Sequence, residues 1–160
     1  MHLSTLDSGP SVPVLVPEPS RVGTRPALTE IAVVGLGYVG LPLSLQFARS
    51  GVNVLGLDLD PDKVDALNEG RSYIKHVSAE TVAEEVMARR LEATTDFSRV
   101  DEVDAVIICV PTPLNKNREP DISYILQTGQ AIAPHLRKGT LVVLESTTYP
   151  GTTDEVVRPL

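Results

Sequence analysis

Short apolar runs alternate with segments of helical spacing along most of this chain. Runs of this kind, four to six residues long and closed by turn or acidic residues, are typical of buried strands. They predict strands over residues 31–34, 52–57, 91–94, 105–110 and 141–144.

The first predicted helix spans residues 38–50 and ends at Gly51, a residue type that commonly follows a helix. Pro42 falls within its opening turns, where the missing N–H costs least. The face turned to the core is predicted to carry Val39, Leu43, Phe47 and Ser50.

Capping residues predict two further helices. Asp60 is placed as the N-cap of a short helix over Pro61–Asn68, with proline at its first position. Ser78 is placed as the N-cap of a helix that reaches about Arg90, flanked by a hydrophobic staple. The staple residues are Val77 and Val82.

The last predicted helix begins after Asp121 as its cap, is kinked by Pro134 and ends at Gly139. Its apolar face carries Ile122, Ile125, Ile132 and Leu136. The resulting order β-α-β-α-α-β-β-α-β predicts an α/β protein with a Rossmann-like, doubly wound parallel sheet covered on both faces.

The domain organisation follows from length and composition. Residues 1–28 are rich in proline, serine and glycine without a sustained period, so we expect a disordered tail. Residues 29–160 have room for one domain.

Charge and cysteine usage exclude several classes of function. The net charge is −7, and the tail contributes none of it, which disfavours a nucleic-acid binder. No apolar run approaches the ~18 residues that span a membrane, and the start lacks a basic signal-peptide region, so the cytoplasm is expected. Cys109 is the single cysteine, so neither a disulfide nor a cysteine-based metal cluster is expected.

The candidate chemistry begins at the motif Gly35-x-Gly37-x-x-Gly40, between the first strand and the first helix. In a dinucleotide-binding loop the first glycine permits a tight turn and the second lets the backbone approach a pyrophosphate. The third lets the helix pack closely on the sheet. Free N–H groups at the start of the helix then face the phosphates.

Asp58 ends the second predicted strand, 18 residues after Gly40. A carboxylate there accepts hydrogen bonds from ribose hydroxyls and repels a 2′-phosphate, which favours NAD over NADP. Its alternative role is to begin the turn of residues 58–61. Lys63 is a cation that would tolerate a phosphate, although an exposed helical lysine is the commoner role.

Two later loops follow predicted strands, at residues 109–115 and 145–153, and both combine hydroxyl groups with prolines. Loops at the carboxyl ends of parallel strands meet at one crevice. Their hydroxyls are suited to ribose, nicotinamide or substrate, and equally to ordinary turn and cap chemistry.

Five ordered segments, covering about residues 30–160, resemble the UDP-glucose/GDP-mannose dehydrogenase family. Within it, the segment at 144–153 is most similar to the UDP-N-acetylglucosamine 6-dehydrogenase branch. The segments are GLGYVGLPLS (35–44), DLDPDKVDALNEG (58–70), IICVPTPLN (107–115), PDIS (120–123) and LESTTYPGTT (144–153).

The resemblance implies oxidation of C6 of a UDP-sugar from alcohol to carboxylate with two NAD, through a cysteine thiohemiacetal. It places the backbone of Tyr38 and Val39 at the pyrophosphate. Thr147 is implied to position a water or the C6 oxygen. The cofactor residues expected are Gly35, Gly37, Tyr38, Val39, Gly40, Asp58, Lys63, Val110, Thr112, Ser146 and Thr147.

The chain also departs from the family pattern. The resemblance implies that the family's nucleophilic cysteine, most of its sugar pocket and its dimerisation helix lie further along than Leu160. Residues 29–160 are therefore expected to form an NAD-binding Rossmann domain that is C-terminally incomplete relative to the family, and these 160 residues alone are expected to be inactive. Cys109 is expected to be an apolar filler. His76 and His135 are expected to be surface residues, and no metal site is expected. A stand-alone NAD-binding module and a β-hydroxyacid-dehydrogenase-like oxidoreductase remain alternatives.

Overall fold

A computed structural model describes residues 28–116 and 118–160, so the tail predicted for residues 1–28 lies outside the described residues except for Leu28. The strands are β1 (Glu30–Val34), β2 (Asn53–Leu57), β3 (Leu91–Thr94), β4 (Ala105–Ile108) and β5 (Leu141–Leu144). The α-helices are α1 (Gly40–Arg49), α2 (Pro61–Asn68), α3 (Ala79–Met87) and α4 (Ser123–Ile132). Short 3₁₀ segments cover Phe97–Glu102 and Ala133–His135, and a π-helical segment covers Thr153–Val157.

The five strands form one parallel sheet in the order β3-β2-β1-β4-β5. The chain runs outward from β1 through β2 to β3 and then returns to the other side of β1 with β4. This reversal creates a crevice at the carboxyl ends of β1 and β4, where ligands of doubly wound sheets bind. The Rossmann-like α/β fold predicted from the sequence is confirmed.

Side chains alternate between the two faces of the sheet along each strand, and each face packs against its own core cluster. Ile31 and Val33 of β1 join the core cluster that contains Leu41 and Leu45 of α1. Ala32 and Val34 join a second cluster, which contains Val100 and Ile132. The apolar runs therefore form strands buried on two sides.

Helix α1 starts later than predicted, at Gly40 instead of Tyr38, and ends at Arg49. The first helical hydrogen bond is donated by Leu41 N to the Gly37 carbonyl at 3.1 Å, so the glycine loop uses residues 38 and 39 as a turn. The predicted face is also wrong, since Val39 and Ser50 are exposed and Leu43 and Phe47 are only half-buried. The buried face consists of Gly40, Leu41, Ser44, Leu45 and Ala48.

The predicted caps of α2 and α3 are confirmed. The Asp60 carboxylate accepts from Asp62 N, and the Ser78 hydroxyl accepts from Thr81 N. Helix α3 ends at Met87 instead of Arg90, because Arg89 adopts φ 56° in the left-handed region. Strand β2 begins at residue 53 instead of 52.

The second half of the domain departs further from the prediction. Helix α4 ends at Ile132 and tightens into the 3₁₀ turn that contains Pro134, because proline cannot continue the α-helical ladder. Gly139 therefore lies in a turn beyond the helix. Asp121 still accepts from Ser123 N at 2.9 Å, one position before the N-cap Ile122. Strand β4 ends at residue 108 instead of 110.

The longest described helices, α1 and α4, have ten residues each. Within residues 28–116 and 118–160, no helix has the length and apolar character needed to cross a membrane.

Candidate functional site

A cleft of about 900 Å³ opens at the carboxyl ends of the strands. It lies at the crevice between β1 and β4 that the strand order creates. Every cofactor residue expected from the sequence lines this cleft except Gly40, which lies buried at the start of α1. The structure thus brings together loops that are more than 100 residues apart in sequence, those of Gly35 and Thr147.

The three motif glycines meet different surroundings. Gly35 adopts φ +92°, and a Cβ added there would lie 2.7 Å from the Cys109 carbonyl oxygen. A Cβ on Gly40 would overlap the Gly35 carbonyl oxygen. A Cβ on Gly37 would meet no atom within 4 Å, so Gly37 faces the open cleft. Gly35 and Gly40 are therefore required by the fold, whereas Gly37 leaves space for a ligand.

The first two backbone N–H groups of the glycine loop have protein acceptors: Gly35 N donates to the Leu57 carbonyl and Leu36 N donates to Asp58 Oδ2. Within the described residues, the N–H groups of residues 37–40 have no hydrogen-bond partner, and bonding resumes with Leu41 N. The start of a helix with unpaired N–H groups attracts anions through these donors and through the helix dipole. This loop can hold a pyrophosphate without any basic side chain.

Asp58 presents a largely buried carboxylate at the end of β2, with its side chain 11% exposed. Its Oδ2 accepts from Leu36 N at 2.8 Å, and its Oδ1 accepts from Asp60 N at 3.0 Å. The bond from Asp60 N is the turn interaction that the sequence offered as an alternative role for Asp58. The bond from Leu36 N connects Asp58 to the glycine loop. Asp58 therefore serves the turn and also lines the cleft.

Lys63 pairs with the Asp58 carboxylate, its Nζ lying 3.3 Å and 3.4 Å from the two oxygens. The same Nζ is 4.0 Å from Asp60 Oδ2. Two carboxylates thus face one ammonium group, which leaves an excess negative charge at this end of the cleft. Lys63 is therefore already paired with carboxylates and is not a free cation for a phosphate.

The opposite rim of the cleft carries hydroxyl groups. Thr112 and Thr147 line it, and in the described part of the chain their hydroxyls have no protein partner. The Ser146 hydroxyl donates to the Val110 carbonyl at 2.9 Å and so joins the two loops. Ser146 and Val110 therefore shape this rim, and the two threonines present free hydroxyls to it.

Several lining residues were not anticipated from the sequence. Leu59 is 75% exposed beside Asp58, and Phe97 comes from the 3₁₀ segment. One face of α4 forms a whole wall of the cleft. The residues of this wall are spaced three, four and seven positions after the first, which places them on one face of a helix, so the sequence did contain this pattern. The wall consists of Tyr124, Gln127, Thr128 and Ala131.

The Cys109 thiol is buried, with 8% of the residue exposed. Burial, and to a smaller extent the negative charge of Glu145, raise its pKa to about 11. A thiol with this pKa stays protonated and weakly nucleophilic at neutral pH. This agrees with the prediction that Cys109 is an apolar filler.

His76 and His135 are exposed, as predicted, and the His76 ring also stacks on Tyr38 at a centroid distance of 6.0 Å. Within residues 28–116 and 118–160, no group of three or more histidine, cysteine, aspartate or glutamate residues is placed to hold a metal ion.

Known proteins are similar to this chain in sequence and in fold. The chain is 41% identical over 127 residues to NDP-N-acetyl-D-galactosaminuronic acid dehydrogenase from Ralstonia nicotianae, covering 79% of this chain and 29% of that protein. It is 38% identical over 132 residues to UDP-N-acetyl-D-glucosamine 6-dehydrogenase from Salmonella typhi, covering 82% and 30%. Among solved structures, a ternary complex of GDP-mannose dehydrogenase from Pseudomonas aeruginosa matches with a TM-score of 0.76 and 36% identity, covering 81% and 31%.

These matches cover only part of each relative's length, and they all point to one family. The chain spans about 30% of the length of the curated relatives it matches. The model of the UDP-glucose/GDP-mannose dehydrogenase family, NAD binding domain, matches residues 29–160. This match over residues 29–160 and the identities of 38–41% with the relatives show that the chain belongs to the UDP-glucose/GDP-mannose dehydrogenase family and carries its NAD-binding domain.

Proposed function

We propose that the cleft holds NAD with its pyrophosphate on the N–H groups of residues 37–40. The observation that carries this proposal is the combination of unpaired N–H groups with the open space at Gly37. The adenosine ribose then lies at Asp58, which also orients the loop through Leu36 N. The nicotinamide lies on the opposite rim, at the free hydroxyls of Thr112 and Thr147.

The charges at the ribose end support NAD over NADP. Asp58 and Asp60 together outweigh the single ammonium group of Lys63. A 2′-phosphate would be repelled there and would have to break the Lys63–Asp58 pair to gain a cation. The cofactor with unmodified ribose hydroxyls meets no such cost.

The proposed reaction is oxidation of the C6 hydroxyl of a UDP-N-acetylhexosamine to a carboxylate, with UDP-N-acetylglucosamine as the favoured substrate. NAD supplies the hydride acceptor. Two relatives are named for nucleotide-linked N-acetyl sugars, which supports an acetamido sugar. Thr147, whose hydroxyl has no protein partner in the described residues, is proposed to position a water or the C6 oxygen.

We further propose that these 160 residues alone bind NAD without oxidising the sugar. The reaction that the resemblance implies requires a nucleophilic cysteine, whereas Cys109 is buried and stays protonated at neutral pH. A β-hydroxyacid dehydrogenase is not favoured, because the family match extends over residues 29–160. A stand-alone NAD-binding module agrees with the same cleft but not with the sugar-linked relatives.

Calorimetric titration of this chain with NAD and with NADP tests the cofactor proposal. We expect one NAD per chain and about tenfold weaker binding of NADP, because the carboxylates at the ribose end repel the 2′-phosphate; a tenfold difference corresponds to about 1.4 kcal/mol. Equal affinity for both cofactors would refute the role assigned to Asp58, and absence of NAD binding would refute the site.

The substrate proposal is tested by adding UDP-N-acetylglucosamine to the NAD-saturated chain. Saturation-transfer NMR is expected to show the C6 protons in contact with protein for UDP-N-acetylglucosamine and UDP-glucose alike, because most of the family's sugar pocket is expected outside these 160 residues. NADH absorbance is expected to stay at background. Steady NADH production would disprove the claim of inactivity. In a full-length family enzyme that contains residues 29–160, faster NADH production from UDP-N-acetylglucosamine than from UDP-glucose is expected, and equal rates would disprove the acetamido preference.

A further inference from the structure

Leu36, the residue between the first two motif glycines, is held at three points. Its side chain is fully buried and reaches β2, where a Cβ on Gly56 would come within 2.9 Å of Leu36 Cδ2. Its N–H donates to Asp58 at 2.8 Å. Its carbonyl accepts from the Tyr73 hydroxyl at 2.6 Å. Tyr73 lies outside the cleft, so it contributes to the loop without contacting the space that the cofactor occupies.

The Tyr73 bond determines the direction of the next N–H group. The Leu36 carbonyl and the Gly37 N–H belong to one planar trans peptide, in which the two groups point in opposite directions. Because the carbonyl points toward Tyr73, the Gly37 N–H points away from it. Gly37 lines the cleft and Leu36 does not, so this N–H is one of the donors available to a pyrophosphate.

Tyr73 lies in the connection between α2 and α3 and is 36% exposed, and the residues next to it anchor this connection. Ile74, its neighbour, is 4% exposed and belongs to the core cluster beneath α1. Two residues after Ile74, the His76 ring stacks on Tyr38 of the glycine loop. The connection therefore contacts the loop at two successive points, Leu36 and Tyr38.

The Tyr73 hydroxyl remains a donor throughout the physiological pH range. Its pKa is raised first by burial and then by the negative charges of Asp58 and Asp60. A phenolate could not donate to the Leu36 carbonyl, so the environment preserves the protonated form that this bond needs.

We propose that Tyr73 is a positioning residue for the cofactor, whose hydroxyl fixes the Leu36–Gly37 peptide so that the Gly37 N–H is presented to the pyrophosphate. This inference rests on the proposed placement of NAD. It assigns part of the affinity for the phosphates to a side chain that never touches them. Asp58 and Tyr73 act on the two ends of the same residue, one through its N–H and the other through its carbonyl.

The test is Tyr73→Phe in this chain, which removes only the hydroxyl. We expect about fivefold weaker binding of NAD and of ADP-ribose, the range of one net hydrogen bond. Binding of adenosine, which lacks the phosphates, is expected to be unchanged. The matched control is Ser50→Ala, which removes another hydroxyl-to-carbonyl bond at the far end of α1 and is expected to leave all three affinities unchanged.

Two outcomes separate this inference from the proposed function. If the unsubstituted chain binds no NAD, the proposed function fails. If that chain binds NAD and Tyr73→Phe binds NAD equally well, the role of Tyr73 is refuted. Equal weakening of adenosine and ADP-ribose would also refute it, because a general structural loss would affect both.

A spectroscopic measurement keeps the inference testable even if the variant is less stable. Without ligand, the Gly37 amide resonance is expected to shift in Tyr73→Phe, whereas the amide of Gly139, remote from the cleft, stays in place. An unshifted Gly37 amide would show that the hydroxyl does not set the orientation of this peptide.

Discussion

The two rims of the cleft are built in opposite ways. On the glycine side, Asp58 accepts from Leu36 N, Asp60 N and Lys63, so its carboxylate is fixed before any ligand arrives. On the hydroxyl side, Thr112 and Thr147 have no protein partners within the described residues. The Asp58 carboxylate of the first rim is preorganised by internal bonds. On the second rim Ser146 joins the two loops, whereas the hydroxyls of the two threonines have no partner among the described residues.

This difference predicts which rim contributes most to the affinity and which rim adjusts to the ligand. A preorganised site spends little free energy on ordering when the ligand binds, so it contributes strongly to affinity. Free hydroxyls contribute less individually and adjust to whichever group approaches. Substitutions on the glycine side should therefore have larger effects on affinity than substitutions on the hydroxyl side.

The largest effect is expected for Gly40→Ala, because its Cβ would overlap the Gly35 carbonyl oxygen, a backbone atom that cannot move aside. We expect a loss of about 3 kcal/mol in the free energy of unfolding, at the upper end of overpacking costs, measured in urea. Gly37→Ala is the matched control, since its Cβ meets open space. It is expected to keep its stability and to lose at least about tenfold in NAD affinity. Normal NAD binding by Gly37→Ala would remove the distinction between the glycines.

A smaller but still large effect is expected for Asp58→Asn, which removes the charge that Leu36 N and Lys63 contact. NAD affinity should fall about tenfold, as expected for hydrogen bonds to a charged group, and NADP should lose less. Calorimetric titration with both cofactors measures the ratio. Asp62→Asn, on the first turn of α2 outside the cleft, is the control. An unchanged ratio of NADP to NAD affinity would argue against ribose recognition by Asp58.

On the hydroxyl rim, Thr147→Val keeps the shape and removes the free hydroxyl. NAD affinity is expected to fall only about threefold, because one neutral hydrogen bond is lost, and the affinity for ADP-ribose should stay the same. The neighbouring Thr148→Val, which does not line the cleft, is the control. A loss as large as that of Asp58→Asn would show that the two rims are not different in kind.

The smallest effect on binding is expected at Cys109. Cys109→Ala should leave NAD affinity unchanged and cost about 1 kcal/mol of stability through lost packing. Because the thiol pKa is raised from 9.0 to about 11, the folded state disfavours the thiolate. Its contribution to stability is therefore complete below pH 9 and decreases as the pH rises toward 11. Urea unfolding across this range should show a steeper decline for the parent chain than for Cys109→Ala, and parallel curves would contradict the assignment.

Local signals allowed much of the fold to be predicted. The buried strands follow from their apolar runs, and strands β3 and β5 have the predicted bounds. Asp60 and Ser78 cap their helices as expected, because N-caps depend on side chains within three residues. The glycine motif and Asp58 could be placed at one cleft because the topology of parallel sheets has few alternatives.

Features that depend on distant contacts could not be predicted in this way. The start and the buried face of α1 depend on how Gly40 packs under Gly35, which the apolar period does not encode. The 3₁₀ segment at Phe97–Glu102 is too short to show a period. Tyr73 has no local signal for its contact with Leu36, because 37 positions separate the two residues.

The central position of β1 has a consequence for the order of folding. Ile31 pairs with Val54 on one side and with Ala105 on the other. A growing chain can therefore assemble β1, β2 and α1 early, whereas the second side of β1 stays open until the much later β4 is synthesised. Closing long loops and forming non-local parallel pairs slows folding. The cleft is thus among the last parts to form, and NAD, which recognises only the completed cleft, would act as a ligand that traps the finished domain.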